Sequence, residues 1–340
     1  RGWDVYEDGL WSDGNVDKEA GEGLKATAHD ALQKVDLANF AVDLKRMVEG
    51  NPPIPWEDLW DDVEAFLDDA PEPFFLWVLL IDTHHPWYAP PEYHECDQPG
   101  IRSTYAWNYL MRRHRGLVGE RRQGIVNAYD NTFGYADAFL DCLLTALDER
   151  GYGDDPFIVH SDHGDELGEH ANYGHRPLMY DTVTRVPLVM DNVGETGCVE
   201  GPTSLLDLGS TVLDLAGSDA RPGGRPSLLG SERVDREFVT VQNLLTNGKR
   251  CAAAVGEDWK VLDHPEGDWG AKVFDEESWE SYDRSADRME REDRWGDHPD
   301  ELEEALIEQL ESEVSKIGGG ESADLDEDTE SRLQELGYIE

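Results

Sequence analysis

Two short apolar runs on either side of one long helical stripe constrain this chain more than any other feature. The first run, Phe74-Phe75-Leu76-Trp77-Val78-Leu79-Leu80-Ile81, is rich in aromatic and branched residues and too short for a typical helix. The second is Phe157-Ile158-Val159. Between them Ile125, Tyr129, Phe133, Ala136, Leu140, Leu143 and Leu147 make a stripe that predicts a helix over 121–150, ended by Gly151. Strand, helix and strand in this order form a crossover unit. The spacing therefore predicts a sheet that is at least partly parallel, with 74–81 as a buried central strand and 157–160 as another.

Each run ends in residues that can carry chemistry. Asp82-Thr83-His84-His85-Pro86 follows the first and Ser161-Asp162-His163-Gly164 the second. In a parallel sheet both would emerge at the carboxyl rim, where ligands bind. Asp162 and His163 offer a hard oxygen and an imidazole nitrogen, a plausible metal pair, and His170 and His175 follow closely. The bland alternative makes Asp162 a turn or capping acid and His84–Trp87 a packed turn. For His84–Trp87 the two readings stand even; for Asp162, with His163 beside it and two more His within thirteen residues, the site reading is favoured.

The rest of the chain reads as punctuated elements. Helices are expected over 17–49, 56–69, 103–116 and 204–217, a strand over 186–190, and short strands at 238–242, 250–255, 259–262 and 271–274. An acidic helix is expected around 298–315, then a break at Gly318-Gly319-Gly320, a solvated linker and a short helix over 328–337.

Composition narrows the partners. The chain has 340 residues, 75 of them acidic and 29 basic, for a formal charge of −46. The acids are dispersed and only 8 residues are Lys, a pattern suited to concentrated salt, where screening removes self-repulsion. A halophilic source is therefore expected. Disorder, the other outcome of such acidity, is disfavoured by 11 Trp, 12 Tyr and 9 Phe. Nucleic acid is not expected as a partner because its phosphates would be repelled. Cys96, Cys142, Cys198 and Cys251 form no CxxC, so neither a disulfide framework nor a zinc–cysteine site is expected. No run reaches the ~18 apolar residues of a membrane span and no signal peptide is visible; a cytoplasmic location is expected. Oligomeric state is not legible.

At this level of detail the residues resemble the sulfatase family of the alkaline-phosphatase-like superfamily. Asp82-Thr83-His84-His85-Pro86 resembles its Asp-x-His-x-Pro strand end. Ser161 to Asp165, Gly168-Glu169-His170, Gly174-His175, Tyr180-Asp181 and Arg185-Val186-Pro187-Leu188 follow in the family's order. Ser204-Leu205-Leu206-Asp207-Leu208 with Thr211 resembles its Asp-Leu-x-x-Thr helix, and Leu333 to Tyr338 a common terminus. The resemblance runs strongly from about 74 to 217. It implies an α/β fold: a mostly parallel sheet flanked by helices, with a smaller carboxyl-terminal α+β subdomain. The expected organisation is a partial catalytic domain over 1–225, a small antiparallel-sheet subdomain over 233–317, and a linker with tail helix over 318–340.

The resemblance also implies roles. Asp162 and His163 match two ligands of a divalent cation: calcium, with manganese or magnesium as alternatives. His84 matches a contact to the transferred group or its leaving oxygen. His175 stands where many members have Lys, against the same anion, and Arg176 is a further candidate for a fixed charge there. The implied reaction is hydrolysis of a small sulfate ester. Its nucleophile would be a formylglycine made within a Cys/Ser-x-Pro/Ala-x-Arg motif, and two further Asp ligands would come from a first strand. None of the four Cys carries that motif, Cys251-Ala252-Ala253-Ala254-Val255 lacking the Arg, and no apolar strand ending in paired Asp precedes residue 50. The expectation is a chain without the family's amino-terminal portion, inactive alone. Phosphodiesterase, phosphonate hydrolase or phosphoglycerol transferase chemistry and a non-catalytic binding module are the alternatives; the identity of the nucleophile would separate them.

Overall fold

Aromatic packing decides which face of the long helix is buried. The computed structural model describes residues 55–84, 87–94, 120–170, 172–175, 178–230, 234–244, 250–264, 267–269, 272–274 and 278–311. The helices expected over 17–49, 103–116 and 328–337, the glycine break and the linker lie outside the described residues. The chain divides into two compact units, Asn15–Asp155 and one that includes Pro156–Glu340.

In the first unit α1 spans Glu57–Asp69 and α2 spans Glu120–Glu149. The buried stripe of α2 is Ile125, Ala128, Thr132, Tyr135, Phe139, Leu143 and Ala146, rotated from the expected one; Phe133 is 49% exposed. The reason is the partner set. Tyr135 and Phe139 pack on Trp56 at 6.0 and 5.8 Å between ring centroids, Phe139 also meets Trp60 at 6.1 Å, and Tyr93 meets Tyr135 at 4.9 Å. The two Phe139 contacts are edge-on and the two Tyr135 contacts tilted, and such aromatic pairs add to simple burial, so the helix turns its rings toward them. Opposite charge also joins the two helices, Arg150 pairing with Asp68 at 2.7 Å.

The central strand expected over 74–81 does not form. Among the described residues this run is in no ladder, and Phe75 and Trp77 are 68% and 48% exposed. Apolar side chains alone do not make a strand; main-chain partners are required. Phe74 is held by side-chain packing instead, edge-on to Phe66 at 5.5 Å and Tyr152 at 5.1 Å.

In the second unit β1 (Phe157–His160) forms as expected. A two-residue hairpin follows, β2 (Glu166–Leu167) and β3 (Tyr173–Gly174). Next come a single helical turn, α3 (Asp181–Thr184), and β4 (Leu188–Asp191). β1 pairs antiparallel with β4, Phe157 opposite Asp191 and His160 opposite Leu188. The parallel ladder expected from the crossover pattern is thus absent among the described residues, where every strand pair is antiparallel. α4 (Leu208–Leu215) is entered through a capping box, Ser204 and Asp207 each accepting from the other's end of the turn. Asp207 also pairs with Arg236 at 3.0 Å, and Thr211 Oγ1 accepts from the Leu228 amide at 3.0 Å. The Asp-Leu-x-x-Thr pattern here is therefore structural.

The carboxyl-terminal part contains β5 (Phe238–Leu244), β6 (Arg250–Gly256), β7 (Trp259–His264), the hairpin β8 (Gly267–Trp269) and β9 (Lys272–Phe274), and β10 (Ser278–Asp283). β10, β7, β6 and β5 form one antiparallel sheet in that order. Its residues alternate between faces, as a strand period of two demands. Cys251, Ala253, Val255, Leu262 and Tyr282 pack on Leu178, Met179 and Tyr180. On the other face Ala252, Ala254 and Val261 meet Leu302, Ala305 and Leu306 of α5 (Asp300–Glu311). The sheet thus braces the segment 178–180, just beyond β3. No helix among the described residues is long and apolar enough to cross a membrane.

Candidate metal and anion site

The loop after β1 is shaped by a glycine. A Cβ on Gly164 would lie 2.2 Å from the carbonyl oxygen of Thr182, and the Gly164 amide donates to Val183 O at 2.8 Å. The loop can therefore lie against the backbone of α3 only with hydrogen at that position. Before it, Ser161 Oγ donates to His163 O at 2.9 Å, and the His163 amide donates to Asp162 Oδ1 at 2.9 Å. These bonds hold Asp162 and His163 in a tight turn.

The hairpin then sets a geometric relation that linear spacing hides. Glu166 lies opposite Gly174, so the next residues outward, Asp165 and His175, stand side by side. His175 Nδ1 donates to Asp165 Oδ1 at 2.9 Å. The rings of His163 and His175 are 4.1 Å apart. His163, Asp165 and His175 each offer one ligand-type atom, all within 4.8 Å of one another. Asp165 and His175 are almost fully buried and His163 partly, while Asp162, the most exposed, keeps a carboxylate oxygen 3.9 Å from His163 Nε2. Two imidazoles and a carboxylate this close make a donor set that fits a divalent cation.

The expected residues divide accordingly. His163 and His175 come together with Asp162 beside them. His84 belongs to the other compact unit, where its amide closes a turn onto Ile81 O at 2.9 Å. Arg176 lies outside the described residues. Asp165 was not singled out from the sequence; its signal was the two-residue strand on either side of a turn, which pairs it with His175. Nor was Asp82 read as a buried acid. It is 3% exposed, and burial, helped by nearby Glu57, pushes its carboxyl up to about 7.

His170, part of the same histidine density, turns elsewhere. Its Nδ1 lies 2.6 Å from Glu166 Oε1 and its Nε2 3.2 Å from the carbonyl oxygen of Glu290, and the ring stacks on Tyr180. Behind it Lys260, fully buried, pairs with Asp181 at 2.9 Å and Glu290 at 2.8 Å, and Arg284 also reaches Asp181 at 3.1 Å. Burial works against the charge on Asp181, but Lys260 and Arg284 outweigh it and hold the carboxyl below the usual range.

The sulfatase family model matches residues 37–218, more than half of the chain. The uncharacterised sulfatase YidJ of Escherichia coli K12 is 28% identical over 178 residues, covering 48% of this chain and 35% of that protein. Among solved structures, a phosphonate monoester hydrolase of Agrobacterium radiobacter superposes with a TM-score of 0.54 at 22% identity, over 74% of this chain and 58% of that one. The phosphonate monoester hydrolase SpPMH of Silicibacter pomeroyi superposes with a TM-score of 0.55 at 18% identity, over 77% and 61%. At these identities the likenesses show the fold alone, an α/β fold. The chain spans between about a third and three fifths of the length of these proteins. From the ordered motifs and the family match, the chain belongs to the sulfatase family.

Proposed function

We propose that this chain supplies part of the active site of a metal-dependent hydrolase of sulfate esters. The observation that carries the reading is the convergence of His163, Asp165 and His175 within 4.8 Å, next to Asp162, at the end of β1 in a sulfatase-family chain. Asp162, His163, Asp165 and His175 are the residues that would hold the cation. Of the three cations expected, manganese suits two imidazoles and a carboxylate better than calcium, which prefers an all-oxygen shell. A bound cation would neutralise charge on the ester oxygens.

The chain's own groups prepare the site. Asp165 accepts from His175 Nδ1 and so fixes the orientation of that ring, whether His175 meets the cation or the ester anion. The roles of His84 at the leaving oxygen and Arg176 as a second positive group are proposals carried by the sequence alone. No cysteine of this chain sits in the formylglycine motif, so bond cleavage is assigned to no residue here, and the 340-residue chain alone is expected to be inactive. Cytoplasmic location is likewise a proposal.

A second reading, hydrolysis of phosphonate or phosphate esters, is favoured by one observation. The two solved structures described above are phosphonate monoester hydrolases by name. The deciding assay gives the full-length gene product, with added manganese or calcium, an aryl sulfate and an aryl phosphonate ester in parallel. Cation-dependent sulfate release, abolished in Asp162→Ala, is the expected result. Cleavage of the phosphonate alone moves the assignment to the second reading, and full activity in Asp162→Ala overturns the metal assignment.

A further inference from the structure

Asp165 and His175 face each other at the mouth of a hairpin that has only two residue pairs, Glu166 with Gly174 and Leu167 with Tyr173. So short a ladder is marginal by itself in water. What fastens it lies at its other end. His170 bonds through Nδ1 to Glu166, the very residue that sits next to Asp165, at 2.6 Å. Through Nε2 it meets the Glu290 carbonyl at 3.2 Å, and its face stacks on Tyr180 with ring centroids 3.7 Å apart and planes 11° from parallel.

Both anchors are themselves immobilised. Tyr180 is fully buried on the four-stranded sheet and donates from its hydroxyl to Glu280 Oε2 at 2.7 Å. Glu290 accepts from the Asp181 amide at 2.6 Å and forms an ion pair with Lys260 of β7 at 2.8 Å. Glu290 also holds a positive φ of 50°. A side-chain-bearing residue in that left-handed region is strained, and persists only where surroundings over-determine it. Here they do, by directing its carbonyl at His170 and its carboxylate at Lys260.

We propose that His170 is a positioning residue: clamped between Glu166 and the Glu290 carbonyl, it transmits the rigidity of the carboxyl-terminal sheet to the hairpin mouth and sets the Asp165–His175 pair. This rests on the reading of that pair as part of the functional site. The carboxyl-terminal sheet then acts on the site through one imidazole, without contributing a ligand.

The test reads the pair directly. The ¹⁵N imidazole signals of His175, assigned by their loss in His175→Gln, are recorded for the metal-free 340-residue chain. Manganese affinity is measured by titration on the same samples, well below the melting temperature. In the parent, His175 should show one fixed tautomer with Nδ1 protonated. In His170→Ala this signature should average toward that of a mobile imidazole, and manganese affinity should fall about ten- to a hundredfold, as when a residue orienting a ligand is lost. His170→Asn, which keeps a donor toward Glu166, should restore part of both. Unchanged His175 signals in His170→Ala overturn the proposal, and so does loss of the folded state in both variants, which would make His170 merely structural. A parent that shows the fixed tautomer but binds no manganese overturns the metal reading above and leaves the positioning role decided by the His175 signals.

Discussion

At the scale of single residues, burial changes what a side chain means. Asp82 read from sequence as a strand-end ligand, on the same footing as His84. Placed, it is a buried acid whose carboxyl titrates near 7 instead of 3.8, chiefly because burial penalises its charge. The sign of the consequence follows. Between about pH 4 and 7 the folded chain binds more protons than the unfolded one, so this group lowers stability as pH rises through that window. Asp82→Asn removes the penalty. Above pH 7 the variant should be more stable than the parent, by at most about 4 kcal/mol for a shift of this size, and the difference should vanish below about pH 4. Denaturant melts at pH 4 and pH 8 would show this; equal midpoints at pH 8 would contradict it. His170 and His175 make the same point. In the sequence they are equivalent histidines in one loop. In the fold one joins the cluster and the other braces it, because the hairpin sends them to opposite ends.

At the scale of elements, local pattern and tertiary partner can be separated. The helix expected over 121–150 and the strands expected at 157–160, 238–242, 250–255 and 259–262 follow from periodicity and punctuation, and each forms, three of the strands one or two residues longer. Their faces do not follow as securely. α2 rotates its buried stripe to meet Trp56, Trp60 and Tyr93, partners too distant in sequence for periodicity to report. The run 74–81 is apolar enough for a strand yet has no ladder partner among the described residues. The glycine at 164 is the most sensitive element boundary. In Gly164→Ala the added methyl meets Thr182 O, a backbone atom, at 2.2 Å, so the loop or α3 must move. Overpacking of this kind costs about 1–3 kcal/mol, and manganese binding should weaken with it. A variant that melts and binds like the parent would show that the loop shifts freely.

At the scale of the whole molecule, charge is the dominant property. A formal −46 with 8 Lys is self-repelling in dilute buffer. Raising salt from about 0.1 M to about 1 M shortens the screening length from about 10 to about 3 Å, so the melting temperature should climb across that range. A flat or falling profile in potassium chloride would remove the argument for a salt-adapted source. Sequence alone determined this electrostatic character, the family, and the order in which ligand-type residues follow their strand, because composition, motif order and short-range periodicity are properties of the linear chain. Tertiary structure decided which of those residues meet. The register of a two-residue hairpin made Asp165 the neighbour of His175, and Glu290, 120 residues downstream, supplied an anchor for His170. The first relation depends on a ladder too short for periodicity to reveal, and the second joins residues far apart in the chain, so short-range pattern reports neither.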